Sequence, residues 1–214
     1  MLTIYAFANM PPPVVGVTRD LRALWTAEEA RVPYRVHALD HARGDLRGPE
    51  YVAVNPFGLV PAIDDDGLVL FESGAIVLHI AAKTDWLLPA SPRERAHATQ
   101  WAFAAVDTMQ SKMTELFLVD KFYAEQAWAK ERRPGLVDVV RKRLTGLDRE
   151  LGRRPYLLGE EFTAPDILMS SALREIQHTD LLGGAPNVAA YKTRCEARPA
   201  WRKIYAAYEQ RLAA

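Results

Sequence analysis

The feature that most constrains the fold lies between Asn55 and Ala81, where a short hairpin is followed directly by a helix. The sequences VPAI and LVLF are typical of two short strands, and the DDDG between them contains an Asp-Gly pair, which favours a tight turn. Ser73 follows the second strand, and its hydroxyl predicts a helix cap. The apolar residues beyond it recur at helical spacing and share one face: Ile76, Val77, Ile80 and Ala81. This segment therefore predicts the order β-β-α.

The residues before the hairpin predict a strand, a helix and a second strand. The first strand is LTIYAFA (Leu2–Ala8), and the second is YRVHALD (Tyr34–Asp40), which alternates in polarity and follows Pro33, a helix stop. Between them, apolar residues recur at helical spacing: Val17, Leu21, Leu24 and Trp25. Strand, helix and strand in one sheet imply a parallel pair with a right-handed crossover. Together with the hairpin, they predict a small α/β sheet with helices packed on it.

Beyond a turn-rich segment, Lys83–Ala96, the pattern is helical throughout. Thr163 and Asp166 form a capping-box pattern in FTAPDILM, flanked by Phe162 and Ile167 as a hydrophobic staple. Two apolar stripes predict buried helix faces: Trp101, Ala105, Met109, Met113 and Leu116 in one, and Val137, Val140, Leu144, Leu147 and Leu151 in the other.

These patterns predict an α/β domain over residues 1–82, a linker over 83–92 and an all-α domain over 93–214. A chain of 214 residues is long enough for two small domains.

Composition argues against several classes of function. Lys plus Arg and Asp plus Glu both number 27, so there is no basic surplus of the kind that binds nucleic acid or an anionic membrane. The only cysteine, Cys195, cannot form an intrachain disulfide, and the dispersed histidines predict no metal site. No apolar run approaches the roughly 20 residues of a membrane helix, and the N-terminus lacks a basic leader. We therefore expect a cytoplasmic protein.

Three separated motifs carry a family resemblance. They are NPFGLVPAIDDDGLVLFESGAIVLHIA (Asn55–Ala81), LLPASPRERAHATQW (Leu87–Trp101) and YLLGEEFTAPDILM (Tyr156–Met169). In this order they closely resemble the cytosolic glutathione transferase superfamily. The resemblance implies a thioredoxin-like N-terminal domain, an all-helical C-terminal domain and a homodimer. It also implies an enzyme that adds the glutathione thiolate to an apolar electrophile, or uses it in glutathione-dependent reduction.

The same resemblance implies which residues bind glutathione. A cis bond between Val60 and Pro61 would turn the Val60 backbone outward, where it could pair with the cysteinyl unit of the tripeptide. The Glu72 carboxylate suits the γ-glutamyl ammonium, and Ser73 with the free N–H groups of its helix suits the γ-glutamyl carboxylate. Leu59 stands where relatives often carry Lys, Arg or Gln, so this contact to a glutathione carboxylate is lost.

The group that stabilises the thiolate is less clearly marked. In the family a hydroxyl near the end of the first strand usually lowers the thiol pKa, and a two-unit shift needs about 2.7 kcal/mol. In this sequence, the position that corresponds to that hydroxyl falls on Asn9–Pro11. Asn9 is the first candidate, through its amide N–H₂; Thr18, as the expected cap of the first helix, is the second, and Tyr5 is the third. A backbone amide, or no group at all, is the remaining alternative.

The loop that follows the first strand is expected to form one wall of the substrate pocket. Met10, Pro12 and Val14 would line it, because the prolines restrict φ and hold an apolar rim in place. Met109 and Met113 lie on a helix that corresponds to one lining the family's apolar substrate site. Since the loop contains neither Ser nor Cys, a non-catalytic glutathione-binding or partner-docking module is the alternative function. A glutathione-dependent isomerase is less favoured, because the Ser-Ser-Cys motif is absent.

Overall fold

The computed structural model describes residues 1–10 and 12–213, with side chains for 1–10 and 12–210. These residues form two compact units. One contains Met1–Leu88 and the described part of Arg198–Ala214, and the other contains Pro89–Ala197. The C-terminal segment thus groups with the first unit, whereas the sequence boundaries place it in the helical domain.

A four-stranded mixed sheet forms the centre of the first unit. Its strands are β1 (Leu2–Asn9), β2 (Tyr34–Asp40), β3 (Ala62–Asp65) and β4 (Leu68–Phe71), in the spatial order β2-β1-β3-β4. Strand β1 pairs in parallel with β2 and antiparallel with β3, which pairs antiparallel with β4. The predicted parallel pair and the predicted hairpin are both confirmed.

The helices of the two units, in chain order, are α1 (Asp20–Ala30), α2 (Pro49–Val54), α3 (Ser73–Ala81), α4 (Pro92–Phe103), α5 (Gln110–Phe122), α6 (Ala127–Leu151), α7 (Ala164–Arg174), α8 (Pro186–Glu196) and α9 (Pro199–Ala213). A π-helical turn, Ala104–Met109, joins α4 to α5. None of the helices that the structure describes is both long enough and apolar enough to span a bilayer.

Strand β1 has one fully buried face and one face that carries aromatic residues. Leu2, Ile4 and Ala6 are at most 1% exposed. Tyr5 and Phe7 point to the other side, as the period of two requires, and pack on a cluster of buried residues. The members of that cluster are Leu39, Leu46, Tyr51, Val60 and Ala62. This packing fixes β1, whose end leads into the loop at the candidate site.

Helix α9 packs on α1 within the first unit. The indole rings of Trp25 and Trp201 lie 4.7 Å apart, and the guanidinium of Arg198 makes two hydrogen bonds, of 2.6 and 2.8 Å, to the Glu29 carboxylate. Paired bonds of this kind fix orientation as well as distance. These contacts explain why the last helix groups with the α/β unit.

The helical unit has the core that the stripes predict, with two corrections. Ala105, Met109, Met113 and Leu116 are buried as expected, but the prediction of Trp101 in the same stripe is wrong, since that side chain is only half-buried. In α6 the stripe begins at Leu136, which is fully buried, and the prediction of Val137 is wrong, since that side chain is only half-buried. The capping box of Thr163 and Asp166 at the start of α7 is confirmed.

Candidate functional site

A shallow groove in the first unit brings together residues that lie far apart in the sequence. It is lined by Arg19, Asn55, Phe57, Leu59, Val60, Pro61, Glu72 and Ser73. The four residues predicted to bind glutathione, Val60, Pro61, Glu72 and Ser73, therefore share one surface. Arg19 reaches the same groove from the start of α1.

Two hydrogen bonds to the Leu59 carbonyl oxygen hold the backbone that leads into Val60. The Tyr51 hydroxyl and the Asn55 amide Nδ2 each donate to the Leu59 carbonyl oxygen, at 2.6 Å. Burial raises the pKa of Tyr51 far above its usual value, so this hydroxyl stays protonated and remains a donor. The Val60–Pro61 bond is cis, as expected.

Gly58 is required in the same turn for two reasons. Its φ is +60°, in the left-handed region that favours glycine, and a Cβ there would lie 2.7 Å from the Leu46 carbonyl oxygen. The Asn55 Oδ1 accepts a hydrogen bond from the Phe57 N–H at 3.1 Å and closes the turn from within. The Asn-Pro-Phe-Gly sequence thus produces the bend that presents Val60.

Glu72 has an unusual backbone conformation. Its φ and ψ are 70° and 112°, values that a residue with a side chain rarely adopts. The residue stands immediately before α3, and its side chain is exposed. Strained residues of this kind concentrate at functional sites, where the surrounding structure holds them in place. The strain supports a role for Glu72 in ligand binding.

Ser73 is the first residue of α3, and the prediction that its side chain caps the helix is wrong. Glu72 occupies the cap position and makes no side-chain cap hydrogen bond. The Ser73 Oγ instead accepts a hydrogen bond of 3.0 Å from Arg22 Nη1, and both residues are buried. The first N–H groups of α3 have no partner within the helix and point toward its N-terminal end, as anion sites require.

Asn9 ends β1, opposite Asp40 of β2. Its side-chain amide donates to the Asp40 carboxylate, and this bond is the main reason why the pKa of Asp40 lies below its usual value. Asn9 is exposed and carries a second amide hydrogen. That hydrogen is the donor that a thiolate could use.

Thr18 lies just before α1 but does not cap it, so the prediction of a cap is wrong. The cap residue is Arg19, without a side-chain cap hydrogen bond. The Thr18 hydroxyl lies 2.8 Å from the hydroxyl of Tyr208 in α9. A hydroxyl that accepts from Tyr208 keeps its own hydrogen for another acceptor.

Tyr5 lies elsewhere on the first unit. Its ring is 4.9 Å from the His37 ring and 5.6 Å from the Tyr51 ring, measured between ring centroids. It lines a separate depression beside β2 and α2, together with Asp45 and Glu50. Of the three candidate donors, Tyr5, Asn9 and Thr18, none is among the residues that line the groove with Ser73.

The loop after β1 forms a short 3₁₀ turn at Pro12–Val14. Met10 and Val14 are half-buried and Pro12 is exposed, while Pro11 lies outside the described residues. The buried Asp20 carboxylate accepts a hydrogen bond from the Phe7 N–H at 3.1 Å, so it links the end of β1 to the start of α1.

Met109 and Met113 belong to the core of the helical unit. Met109 is 4% exposed and Met113 is fully buried. Little of either methionine side chain is therefore accessible to a ligand.

Comparison with known proteins decides the family. The family model of the glutathione S-transferase N-terminal domain matches residues 21–93, and that of the C-terminal domain matches residues 107–199. Glutathione S-transferase 4 of Zea mays is 30% identical over 190 residues, covering 86% of this chain and 85% of that protein. The chain belongs to the glutathione S-transferase family.

Solved structures of glutathione transferases confirm the predicted fold class, a thioredoxin-like N-terminal domain and an all-α C-terminal domain. A glutathione transferase from Burkholderia graminis, with two glutathione molecules bound per subunit, is 27% identical at a TM-score of 0.84. The match covers 95% of this chain and 87% of that one. A family member from Pseudomonas fluorescens, also with two glutathione bound, is 25% identical at a TM-score of 0.84, covering 95% and 92% of the two chains.

Sequence reasoning missed two residues of this candidate site. Arg19 lines the groove, and Arg22 lies buried behind Ser73. An arginine near a helix start usually indicates a solvated face, so neither residue gives a signal by itself. Because Arg22 stands between the buried residues Leu21 and Trp25 on the same helix, its burial could have been predicted. Its contact with Ser73 could not.

Proposed function

We propose that this glutathione S-transferase family member is a catalytically active glutathione transferase. It binds glutathione in the groove of the first unit and adds the thiolate to an apolar electrophile, or uses it in glutathione-dependent reduction. One observation carries the proposal: Val60, Pro61, Glu72 and Ser73 line a single groove. The Burkholderia graminis and Pseudomonas fluorescens structures, which hold glutathione, support the choice of ligand.

Each part of the tripeptide has a partner of suitable chemistry in the groove. The Val60 backbone pairs with the cysteinyl unit in the manner of an added strand. The Glu72 carboxylate accepts from the γ-glutamyl ammonium. The Ser73 hydroxyl and the first N–H groups of α3 donate to the γ-glutamyl carboxylate.

Arg19 replaces the cation that Leu59 cannot supply. Both side chains line the groove, Leu59 is 56% exposed, and Arg19 is exposed as well. A guanidinium can bind a carboxylate through two parallel hydrogen bonds. In the proposed complex, Arg19 binds the carboxylate at the glycine end of glutathione.

Replacing Arg19 by alanine should raise the Kd for glutathione about tenfold, because one charge-assisted hydrogen bond is lost. Titration calorimetry measures the change. Arg93→Ala is the matched control, since Arg93 is an exposed arginine at the start of α4 and lies outside the groove. An unchanged Kd in Arg19→Ala would exclude this carboxylate contact.

Asn9 is the proposed donor to the thiolate. Its side-chain amide interacts with the Asp40 carboxylate and has two hydrogens, so one is left to donate to a thiolate. Asn9→Ala should raise the pKa of the bound thiol by about one unit and lower kcat about tenfold near neutral pH, because less thiolate is present. The pH dependence of the thiolate absorbance, together with the rate of conjugation, measures both effects.

Two variants make the Asn9 experiment selective. Tyr5→Phe removes a hydroxyl from a residue of the separate depression beside β2 and α2, and the thiol pKa should not change. Thr18→Val removes the hydroxyl bonded to Tyr208. If the thiol pKa is unchanged in Asn9→Ala and raised in Thr18→Val, the donor is Thr18.

A non-catalytic glutathione-binding or partner-docking module is the second candidate. It is favoured by the engagement of both side-chain donors: Asn9 already bonds Asp40, and Thr18 already bonds Tyr208. Glutathione binding, combined with a conjugation assay against a panel of electrophiles and a glutathione-dependent reduction assay, separates the two. Binding without turnover would exclude the transferase, and failure to bind glutathione would exclude both functions.

We further propose that the protein acts as a cytoplasmic homodimer in detoxification. In this proposal residues 1–82 bind glutathione, residues 83–92 form the linker, and residues 93–214 supply the substrate and dimer surfaces. Light scattering on the purified chain tests the dimer, since a monomeric mass would exclude it.

A further inference from the structure

The depression beside β2 and α2 lies apart from the groove proposed for glutathione. Its volume is about 410 Å³, and it shares no lining residue with that groove. Pockets that bind small molecules usually have volumes of roughly 300–1,000 Å³ and combine apolar walls with a few polar groups. The depression is therefore large enough for a small ligand of its own.

Three aromatic rings line the depression side by side. The ring centroid of Tyr5 lies 4.9 Å from that of His37 and 5.6 Å from that of Tyr51. The Tyr51 hydroxyl donates to the Leu59 carbonyl oxygen, which holds its ring in place. The Tyr5 hydroxyl has no hydrogen-bond partner among the described residues. The faces of such rings carry partial negative charge and attract cations.

Two of the lining side chains are carboxylates. Asp45 begins a 3₁₀ turn, and Glu50 lies in the first turn of α2. The Asp45 Oδ2 accepts a hydrogen bond of 2.8 Å from the Asp40 N–H, which fixes this side chain. Glu50 is exposed and forms no ion pair with another described residue. Its charge is therefore available to a ligand.

The lining of the depression favours a cation over an anion. None of the described residues that line it is a lysine or an arginine. Arg35 and Arg47 lie near the lining residues in the sequence, but the Arg35 Nε donates to the Thr3 hydroxyl at 2.8 Å, and Arg47 is exposed outside the lining. Two carboxylates beside aromatic rings thus give a surface that attracts positive charge.

We infer that this depression binds an organic ammonium ion with an aromatic body, of the arylalkylamine class. The ammonium donates to the Asp45 and Glu50 carboxylates, and the body packs on the rings of Tyr5 and Tyr51. A metal ion is a poorer match, since the described residues contain no group of His, Cys, Asp and Glu side chains placed to hold one. The inference goes beyond the proposed function and does not depend on it.

The test compares three probes that share a phenyl group: phenethylamine, phenethyl alcohol and phenylpropanoate. Heteronuclear NMR titration of the isotopically labelled chain near neutral pH measures each Kd. The amine should bind with a Kd of about 0.1–1 mM, as suits a ligand of this size, and the alcohol and the carboxylate at least about tenfold more weakly. Equal affinity for the amine and the alcohol would overturn the preference for a cation, and no binding of the amine would overturn the site.

Two glutamate variants locate the bound amine. Glu50→Gln keeps the size of the side chain and should raise the Kd for phenethylamine about five- to tenfold, while the Kd for the alcohol changes less than twofold. Glu72→Gln is the matched control, because Glu72 is an exposed glutamate that lines the glutathione groove instead. It should leave the Kd for the amine unchanged. A loss of affinity in Glu72→Gln but not in Glu50→Gln would place the amine in the groove and overturn the inference.

Glutathione separates this inference from the proposed function. The amine should bind with a similar Kd whether or not glutathione is present, since the two surfaces share no lining residue. An apparent Kd that rises in proportion to the glutathione concentration would show direct competition and overturn the separate site. If the chain binds the amine but not glutathione, the proposed function fails and the inference stands.

Discussion

Replacing Asp166 by alanine should lower the free energy of unfolding by about 3–5 kcal/mol, because a buried hydrogen-bond network loses its acceptor. The carboxylate is fully buried at the start of α7. Its Oδ1 accepts from the Leu157 N–H and the Tyr191 hydroxyl, both at 2.9 Å. Its Oδ2 accepts from the N–H and the hydroxyl of Thr163, at 2.8 and 2.9 Å. Alanine leaves these donors in the interior without an acceptor.

The chain itself supplies a matched control for this experiment. Glu94 occupies the same position in the cap of α4, where its carboxylate accepts from the Ser91 hydroxyl at 2.8 Å, but the site is exposed. Glu94→Ala should therefore cost less than about 1 kcal/mol, since water replaces the lost partner. Denaturant unfolding of the two variants measures both losses. Equal losses in the free energy of unfolding for the two variants would show that burial does not strengthen the cap at α7.

The elements of the fold could be predicted because their signals are local. The Asp-Gly turn fixes the hairpin of β3 and β4, and the Thr163–Asp166 spacing fixes the start of α7 within four residues of sequence. The wrong prediction of Val137 also comes from the use of local spacing alone. A stripe read at three-four spacing allows either of two adjacent residues to begin it, and packing selects Leu136.

The details of the candidate site could not be predicted, because they depend on partners far away in the chain. Thr18 lies one residue before the cap of α1, and its hydroxyl is bonded to that of Tyr208, 190 residues later. Ser73 lies one residue after the cap of α3, and its oxygen accepts a hydrogen bond from Arg22, 51 residues earlier. Neither pairing has a spacing that a sequence pattern can register, and both change what the hydroxyl can do.

The Glu72 carboxylate is available for a ligand cation. Among the described residues, no Lys, Arg or His side chain forms an ion pair with Glu72. Glu72→Gln keeps the size of the side chain and removes its charge. It should raise the Kd for glutathione by about 10- to 100-fold, because the γ-glutamyl ammonium loses its counter-charge as the ligand covers the site.

An analogue of glutathione that lacks the γ-glutamyl amino group separates this contact from a general disturbance. The unaltered chain and the Glu72→Gln variant should bind the analogue with similar Kd values, because the analogue has no ammonium that either side chain could pair with. Titration calorimetry measures the four values, and Glu131→Gln in α6, at an exposed site, serves as the control. A similar loss of affinity for both ligands would contradict the ion pair.

The backbone at Glu72 makes a further variant decisive. A residue with a side chain at a φ of 70° and ψ of 112° is strained, and glycine adopts positive φ without that cost. Glu72→Gly should therefore raise the free energy of unfolding by about 1 kcal/mol while it weakens glutathione binding at least as much as Glu72→Gln. Opposite changes in stability and affinity mean that the glutamate serves the ligand at the expense of the fold. A loss of stability in Glu72→Gly would show instead that the side chain supports the start of α3.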